Sequence, residues 1–510
     1  MDALDYKKKA VKGISWNLLS FALAAPLAYL VRVLYAKEIP KLEVGLFYAV
    51  WDFFNMLIVF RGFGLDQALI RFIPKYLAKN RLDLVKSSIL SVGILQTVSS
   101  LIISLIIIYF APLIAELYLN NRGQFTGNLD IVINVLIIMA IGMYFLQSIA
   151  DTLSYILTGF QCQNYASSTR VVKILSVFLI SLLLFYLFNM HSALVPALAY
   201  SISPIIMMII YGYIVFKKVF PEFFREKFVY STKIIKELLS YGTYVMMGYA
   251  GGLILGYLDG ICLTYFSGLN TVADYRNVAM PTVSILSYFA FSVGAVLFPM
   301  SSELWEKGYK KALAYGVEKT FLYSLTLIVP LALLMAYFPT VIINLLFTSQ
   351  YLTASSAIVI LSLGAIFSTI NSIGFSVLNG IGKPNLSTKI LYIGATFNLI
   401  FNILLIPKYG IIGASITTVL GYVIMCIFQI RYLNKFLEYN ILNKKWILII
   451  LLGVFSLLPV VFIKDIINNI ILQLIICGIV YFGIYIAGIF GLKIIKMDEI
   501  KDIIAKIVKR

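Results

Sequence analysis

Uncharged apolar stretches too long for any soluble core recur from one end of this sequence to the other. There are eleven, and the two longest, 174–216 and 320–382, run for 43 and 63 residues. A bilayer-spanning helix needs roughly 20 predominantly apolar residues. Each long stretch therefore holds two spans, broken near Phe188-Asn189-Met190-His191 and after Phe338-Pro339. One more span, 44–60, carries Asp52 in its middle. The pattern predicts an all-α membrane protein with 14 transmembrane helices. Only 13% of the 510 residues are charged, which leaves too little polar surface for a soluble fold.

In a soluble protein a net charge of +18 would point to nucleic acid, but in a membrane protein Lys and Arg first mark the cytoplasmic side. With the N-terminus inside, 34 of the 41 Lys/Arg fall in inner segments and five in outer ones, while Arg32 and Arg276 sit within helix ends. This bias predicts a multi-pass protein of the cell membrane with both termini cytoplasmic and no nucleic-acid partner. Lys7-Lys8-Lys9 ahead of an apolar run resembles a signal peptide. The run is about 20 residues long and lacks a small-residue cleavage site, so it is read as a retained first helix. The cysteines Cys162, Cys262, Cys426 and Cys477 stand far apart, and the one histidine, His191, can build neither a metal site nor a histidine triad. No Gly-rich nucleotide loop is present. The chain is therefore read as no enzyme, with no catalytic residue, metal or cofactor.

The two halves of the chain look alike. Ile156-Leu157-Thr158-Gly159-Phe160, followed by Asn164 and Thr169-Arg170, parallels Val377-Leu378-Asn379-Gly380-Ile381, followed by Asn385 and Thr388-Lys389, at an offset of 221 residues. Likewise Gly64 to Phe72-Ile73-Pro74 and Gly294 to Phe298-Pro299 each precede a charged amphipathic segment. Six helices separate the copies, an even number, so the repeats keep the same sense in the membrane. The expected organisation is an N-terminal lobe of helices 1–6 (1–216), a cytoplasmic linker (217–237) and a second lobe of helices 7–12 (238–433). Helices 13 and 14 (434–492) and an amphipathic cytoplasmic tail (493–510) follow, the tail lying on the inner membrane surface. Two parallel six-helix bundles facing one another would enclose a central cavity.

Arg32, then Gly45-Leu46-Phe47, then the string from Gly62-Phe63-Gly64-Leu65-Asp66 to Ile70-Arg71-Phe72 resemble the polysaccharide transport proteins. So does the run from Asn398-Leu399-Ile400-Phe401-Asn402 to Tyr409-Gly410-Ile411-Ile412-Gly413-Ala414. These proteins are the O-antigen flippase branch of the superfamily that includes multidrug and toxin extrusion (MATE) transporters and the lipid II flippase. The resemblance covers nearly the whole chain. It implies a V-shaped, two-lobed fold that moves a lipid-linked oligosaccharide or polysaccharide precursor between leaflets by alternating access. The implied partners are that lipid-linked sugar, the surrounding membrane lipids, Na⁺ or H⁺ if transport is coupled, and glycosyltransferases of the same pathway. A drug or organic-cation antiporter of the same superfamily is the alternative. A membrane glycosyltransferase or polysaccharide polymerase is a third reading, but the longest outer loop, about 111–130, holds only Glu116, Arg122 and Asp130.

A phosphate-bearing headgroup needs a wet, basic path, because an ion at mid-bilayer costs at least ~2.5–3.5 kcal/mol. The planar fork of Arg suits phosphate. Arg32, near the outer end of helix 1, and Arg276, near the outer end of helix 8, are expected at similar depth in opposed lobes and are candidates to bracket the phosphate; the alternative is snorkelling to outer headgroups. Arg71 and Lys75, just below helix 2, are candidates to recruit an anionic headgroup from the inner leaflet, or serve only to set topology. Asp52, roughly 12 Å into helix 2, is the ion-coupling candidate, against a structural pair with Arg32. Asp151 is expected to be structural, paired with Lys173 and with Arg170 one turn nearer the surface. Asp259 and Asp274 are expected to be exposed at helix ends, and Gly248, Gly252, Gly256 and Gly260 to form a close-packing stripe.

Overall fold

The computed structural model describes residues 3–125, 129–229, 231–464, 466–467 and 469–495. Among them every regular element is helical. The amphipathic tail expected over 493–510 lies outside the described residues from 496 onward.

The chain divides into two compact units, Met1–Asn277 and Val278–Arg510. The first holds α1 (Ala3–Glu38), α2 (Lys41–Gly62), α3 (Leu65–Leu77), α4 (Leu82–Tyr109), α5 (Asp130–Gly159), α6 (Gln163–Tyr186), α7 (Leu194–Val219) and α8 (Thr232–Phe266). The division falls within α9 (Leu269–Glu306). The second unit continues with α10 (Lys310–Tyr337), α11 (Ser349–Gly380), α12 (Pro384–Leu437), α13 (Lys445–Lys464) and α14 (Ile470–Gly491). Among the described residues twelve helices are long and apolar enough to cross a membrane, or thirteen if α8, bent by 51° between Thr232–Gly248 and Ala250–Phe266, counts as one span. The eleventh and twelfth expected spans run together here as the 54-residue α12, interrupted at Gly410, whose φ of 53° and ψ of −125° are not helical.

α3 is too short to cross and lies against the bundle instead. Its buried residues Leu65, Ala68, Leu69, Phe72, Ile73 and Tyr76 recur at three- and four-residue spacing, which makes one apolar stripe. Arg71 and Lys75 fall on the opposite, exposed face. Asp66 in its first turn and Lys75 in its last complement the helix dipole. The chain turns from α2 into α3 through Phe63 and Gly64, both left-handed at φ 46° and 70°. Gly64 has a second reason to lack a side chain: a Cβ there would stand 2.1 Å from the carbonyl oxygen of Gly242 on α8. The backbones at the start of α3 and in α8 touch at this point.

In the second unit α11 packs against α9, α10 and α12. Buried amides knit α11 to α12: Asn371 Nδ2 donates to the Tyr422 carbonyl at 2.8 Å and Gln429 Nε2 to the Asn371 carbonyl at 3.1 Å. Within α12, Thr417 donates to Asn402, which in turn donates to Asn398 at 2.9 Å. Such paired polar groups satisfy donors that hydrocarbon cannot.

Candidate functional site

The first unit gathers one set of buried charges around the middle of α2. Asp52, 1% exposed, accepts a hydrogen bond from Arg276 Nε at 2.6 Å. Arg32 Nη1 donates to the Arg276 carbonyl at 2.6 Å, and Asn277 Nδ2 donates to the Arg32 carbonyl at 3.2 Å. Arg276 lies where α9 widens to π-helical hydrogen bonding over Ala273–Ala279, a local unwinding that recurs at functional sites. Its guanidinium carbon sits 5.7 Å from the Tyr257 ring and 5.8 Å from the Tyr275 ring. The Nη2 of Arg276 is buried with no hydrogen-bond partner among the described residues. Around it Tyr275 donates to Asp259 at 2.7 Å and Lys41 pairs with Asp274 at 2.7 Å.

Gly260 makes this cluster sterically feasible. A Cβ at that position would stand 1.6 Å from Asp52 Oδ2 and 2.7 Å from Arg276 Nε. The α8 backbone therefore lies directly on the ion pair. Gly252 and Gly256, by contrast, have open space within 4 Å of an added Cβ. The expected four-glycine packing stripe thus reduces, at these positions, to one tight contact.

A second buried pair lies at the C-terminal end of α2. Arg61 Nη2 donates to Asp151 Oδ2 at 2.5 Å, and Gln147 Nε2 donates to Asp151 Oδ1 at 2.6 Å. On α3, Arg71 stacks on Tyr241 with 4.4 Å from guanidinium carbon to ring centre, and Lys75 pairs with Glu237 at 3.2 Å. These groups border a cavity of about 830 Å³ between α3 and the start of α8.

The sequence profile of the family described as "Polysaccharide biosynthesis protein" matches residues 10–305, more than half of the chain. The chain belongs to the polysaccharide biosynthesis protein family. The MatE family profile matches residues 249–404. An uncharacterized membrane protein of Methanocaldococcus jannaschii is 73% identical over 99% of this chain and 100% of its own length. A probable low-salt glycan biosynthesis flippase of Haloferax volcanii is 24% identical over 41% of this chain and 44% of its own. Among solved structures, a lipid II flippase in an inward closed conformation aligns with a TM-score of 0.74 at 17% identity, over 92% of this chain and 97% of that one. The chain therefore shares the fold of that structure.

Several sequence expectations change in this family member's structure. Asp52 pairs with Arg276, not with Arg32, and Arg32 is hydrogen-bonded to the Arg276 backbone. Asp151 pairs with Arg61, not with Lys173 or Arg170. Similar depth does not decide a pair; rotation about the helix axis does, and it leaves Arg170 exposed, 5.6 Å from the Phe21 ring. Asp259 and Asp274, expected at the surface, are 1% and 4% exposed, because the turn into α9 folds back on α2. Arg61 directly follows the apolar run 44–60, so in the sequence it counts with the inner-segment cations. The available signal was an intramembrane carboxylate, Asp151, in need of a cation. Arg71 and Lys75 share one cavity, with Lys233, Lys236 and Tyr241, none of which the sequence reading singled out.

Proposed function

We propose that this protein is a flippase that moves a lipid-linked oligosaccharide or polysaccharide precursor across the cell membrane by alternating access. The observation that carries the reading is Arg276. Its guanidinium is buried in an apolar bundle with one N–H edge on Asp52 and Nη2 without an acceptor, a donor set that a phosphate oxygen satisfies. Arg32, anchored on the Arg276 backbone, supplies the second cation. The flippase names carried by the relatives agree with this. The drug-antiporter alternative relies on free acids, and both of its carboxylates, Asp52 and Asp151, are tied to arginines.

Asp52 has a coupling role in this reading. A cargo phosphate that takes Arg276 strips Asp52 of its cation inside the membrane, where a bare carboxylate is costly. Asp52 then binds H⁺ or Na⁺, and release of that ion accompanies return of the guanidinium. The finer topology is also part of the proposal: fourteen spans, both termini cytoplasmic, helices 1–6 and 7–12 as two copies with 13 and 14 appended. At 1.5 Å per residue α12 is about 80 Å long, more than twice a hydrocarbon core, which supports two spans joined at Gly410. Repeat symmetry has support within each unit. An added Cβ at Gly159 would stand 3.0 Å from the Leu69 carbonyl oxygen and 2.8 Å from Ile73 on the segment after helix 2. An added Cβ at Gly380 would stand 2.6 Å from the Phe298 carbonyl oxygen and 2.8 Å from Ser301, both in the last turns of α9.

The test is translocation of a lipid-linked oligosaccharide by the purified protein in liposomes. Arg276→Lys and Arg32→Lys keep charge but lose the fork, so each is expected to slow transport about tenfold or more with normal yield. Asp52→Asn is expected to remove dependence on pH or Na⁺ gradients. Lys variants that transport like the parent would refute the phosphate role.

A further inference from the structure

The inner cavity is built from charges that the fold leaves unused. Arg71 and Lys75 come from α3, and Lys233, Lys236, Tyr241 and Tyr244 from the first turns of α8. Four cations face one carboxylate, Glu237, which bonds Lys75. Arg71, Lys233 and Lys236 make no hydrogen bond or ion pair among the described residues. Stacking on Tyr241 holds the Arg71 plane in place while leaving its N–H edge open, the arrangement that presents a guanidinium to phosphate. The Gly64 and Gly242 backbone contact brings the two helices together here, so the juxtaposition is a product of the packing. Basic pockets between membrane helices on the cytoplasmic side bind phosphorylated headgroups.

We propose that this cavity is a docking site for the phosphate-bearing headgroup of the cargo lipid in the inner leaflet, occupied before the headgroup reaches the buried Arg276. It rests on the lipid-linked cargo proposed above, and it assigns Arg71, Lys75, Lys233 and Lys236 to headgroup capture ahead of Arg276. Lys75 exchanges Glu237 for the phosphate, and the released Glu237 carboxylate, 40% exposed, is left to water.

The experiment measures binding, not transport. The full chain in phosphatidylcholine nanodiscs is titrated with polyprenyl phosphate, with the uncharged polyprenol, and with phosphatidylglycerol at the same mole fractions, and inorganic pyrophosphate is added as a soluble competitor. Polyprenyl phosphate is expected to bind the parent about tenfold or more tightly than it binds Arg71→Gln, with polyprenol and phosphatidylglycerol showing no variant-dependent binding. Lys233→Gln with Lys236→Gln, at exposed positions that leave packing intact, is expected to weaken binding in the same direction. Equal affinity of parent and both variants would overturn the proposal. Variant-sensitive binding of phosphatidylglycerol would overturn it in favour of a general anionic-lipid site, and inorganic pyrophosphate binding as tightly as polyprenyl phosphate would overturn it in favour of a soluble phosphate. Specific binding without flipping would sink the flippase reading and leave the pocket, whereas flipping with variant-insensitive binding would do the reverse.

Discussion

Asp52, Arg276 and Gly260 show how a single atom's position governs the site. Gly260→Ala places a methyl group 1.6 Å from Asp52 Oδ2, so the ion pair or α8 must shift; overpacking of this kind costs about 1–3 kcal/mol or more. Gly256→Ala meets open space and replaces a poor helix former by the best one, a gain of up to about 1 kcal/mol. Thermal unfolding of the detergent-purified protein should therefore fall for the first and hold or rise for the second. Equal midpoints for the two would show that the contact at Gly260 yields freely. The Arg61 and Asp151 pair makes a similar claim. Removing one partner of a buried pair costs about 3–5 kcal/mol, so Arg61→Met and Asp151→Asn should each lower folded yield, and the double replacement should recover much of it. Recovery through Lys173→Met in place of Arg61→Met would restore the pairing expected from depth alone.

At the scale of the element, two breaks matter. α3 exists as a separate helix because Phe63 and Gly64 turn the chain, and its stripe of Leu65, Leu69, Phe72 and Tyr76 holds it against the bundle while Arg71 and Lys75 face out. The stripe is plain in the sequence as a period of 3.6. Its consequence, a cavity shared with α8, is not, because the partner lies about 160 residues away. In α12, Gly410 adopts a backbone conformation open in practice only to glycine. Gly410→Ala is expected to cost about 1–3 kcal/mol of stability and to shift the thermal midpoint more than Gly483→Ala in α14, where an added Cβ meets nothing within 4 Å. A Gly410→Ala protein as stable as the parent would mean that the two halves of α12 align without this kink.

For the whole molecule the proposed topology has a direct check. Single cysteines at Asn121 and Phe224, both at exposed positions, introduced into a cysteine-free background, should label from opposite sides of the membrane; labelling of both from one side would reverse the assignment of inner and outer loops and undo the repeat alignment. The all-helical membrane fold was legible in the sequence alone, since uncharged runs of this length have no other stable solution than spanning helices. Arg32, Asp52, Arg71 and Asp151 stood out for the same reason, as charges set in or beside apolar segments. Which of them meet was decided only by tertiary structure. Asp52 finds Arg276 from 224 positions away, and Asp151 finds Arg61 from 90. Along one helix the sequence determines depth, because rise per residue is constant. The facing partner depends on how whole helices rotate and cross, and that is settled by side-chain packing summed over the bundle and by the few glycines, Gly64, Gly242 and Gly260, where backbones are allowed to touch their neighbours.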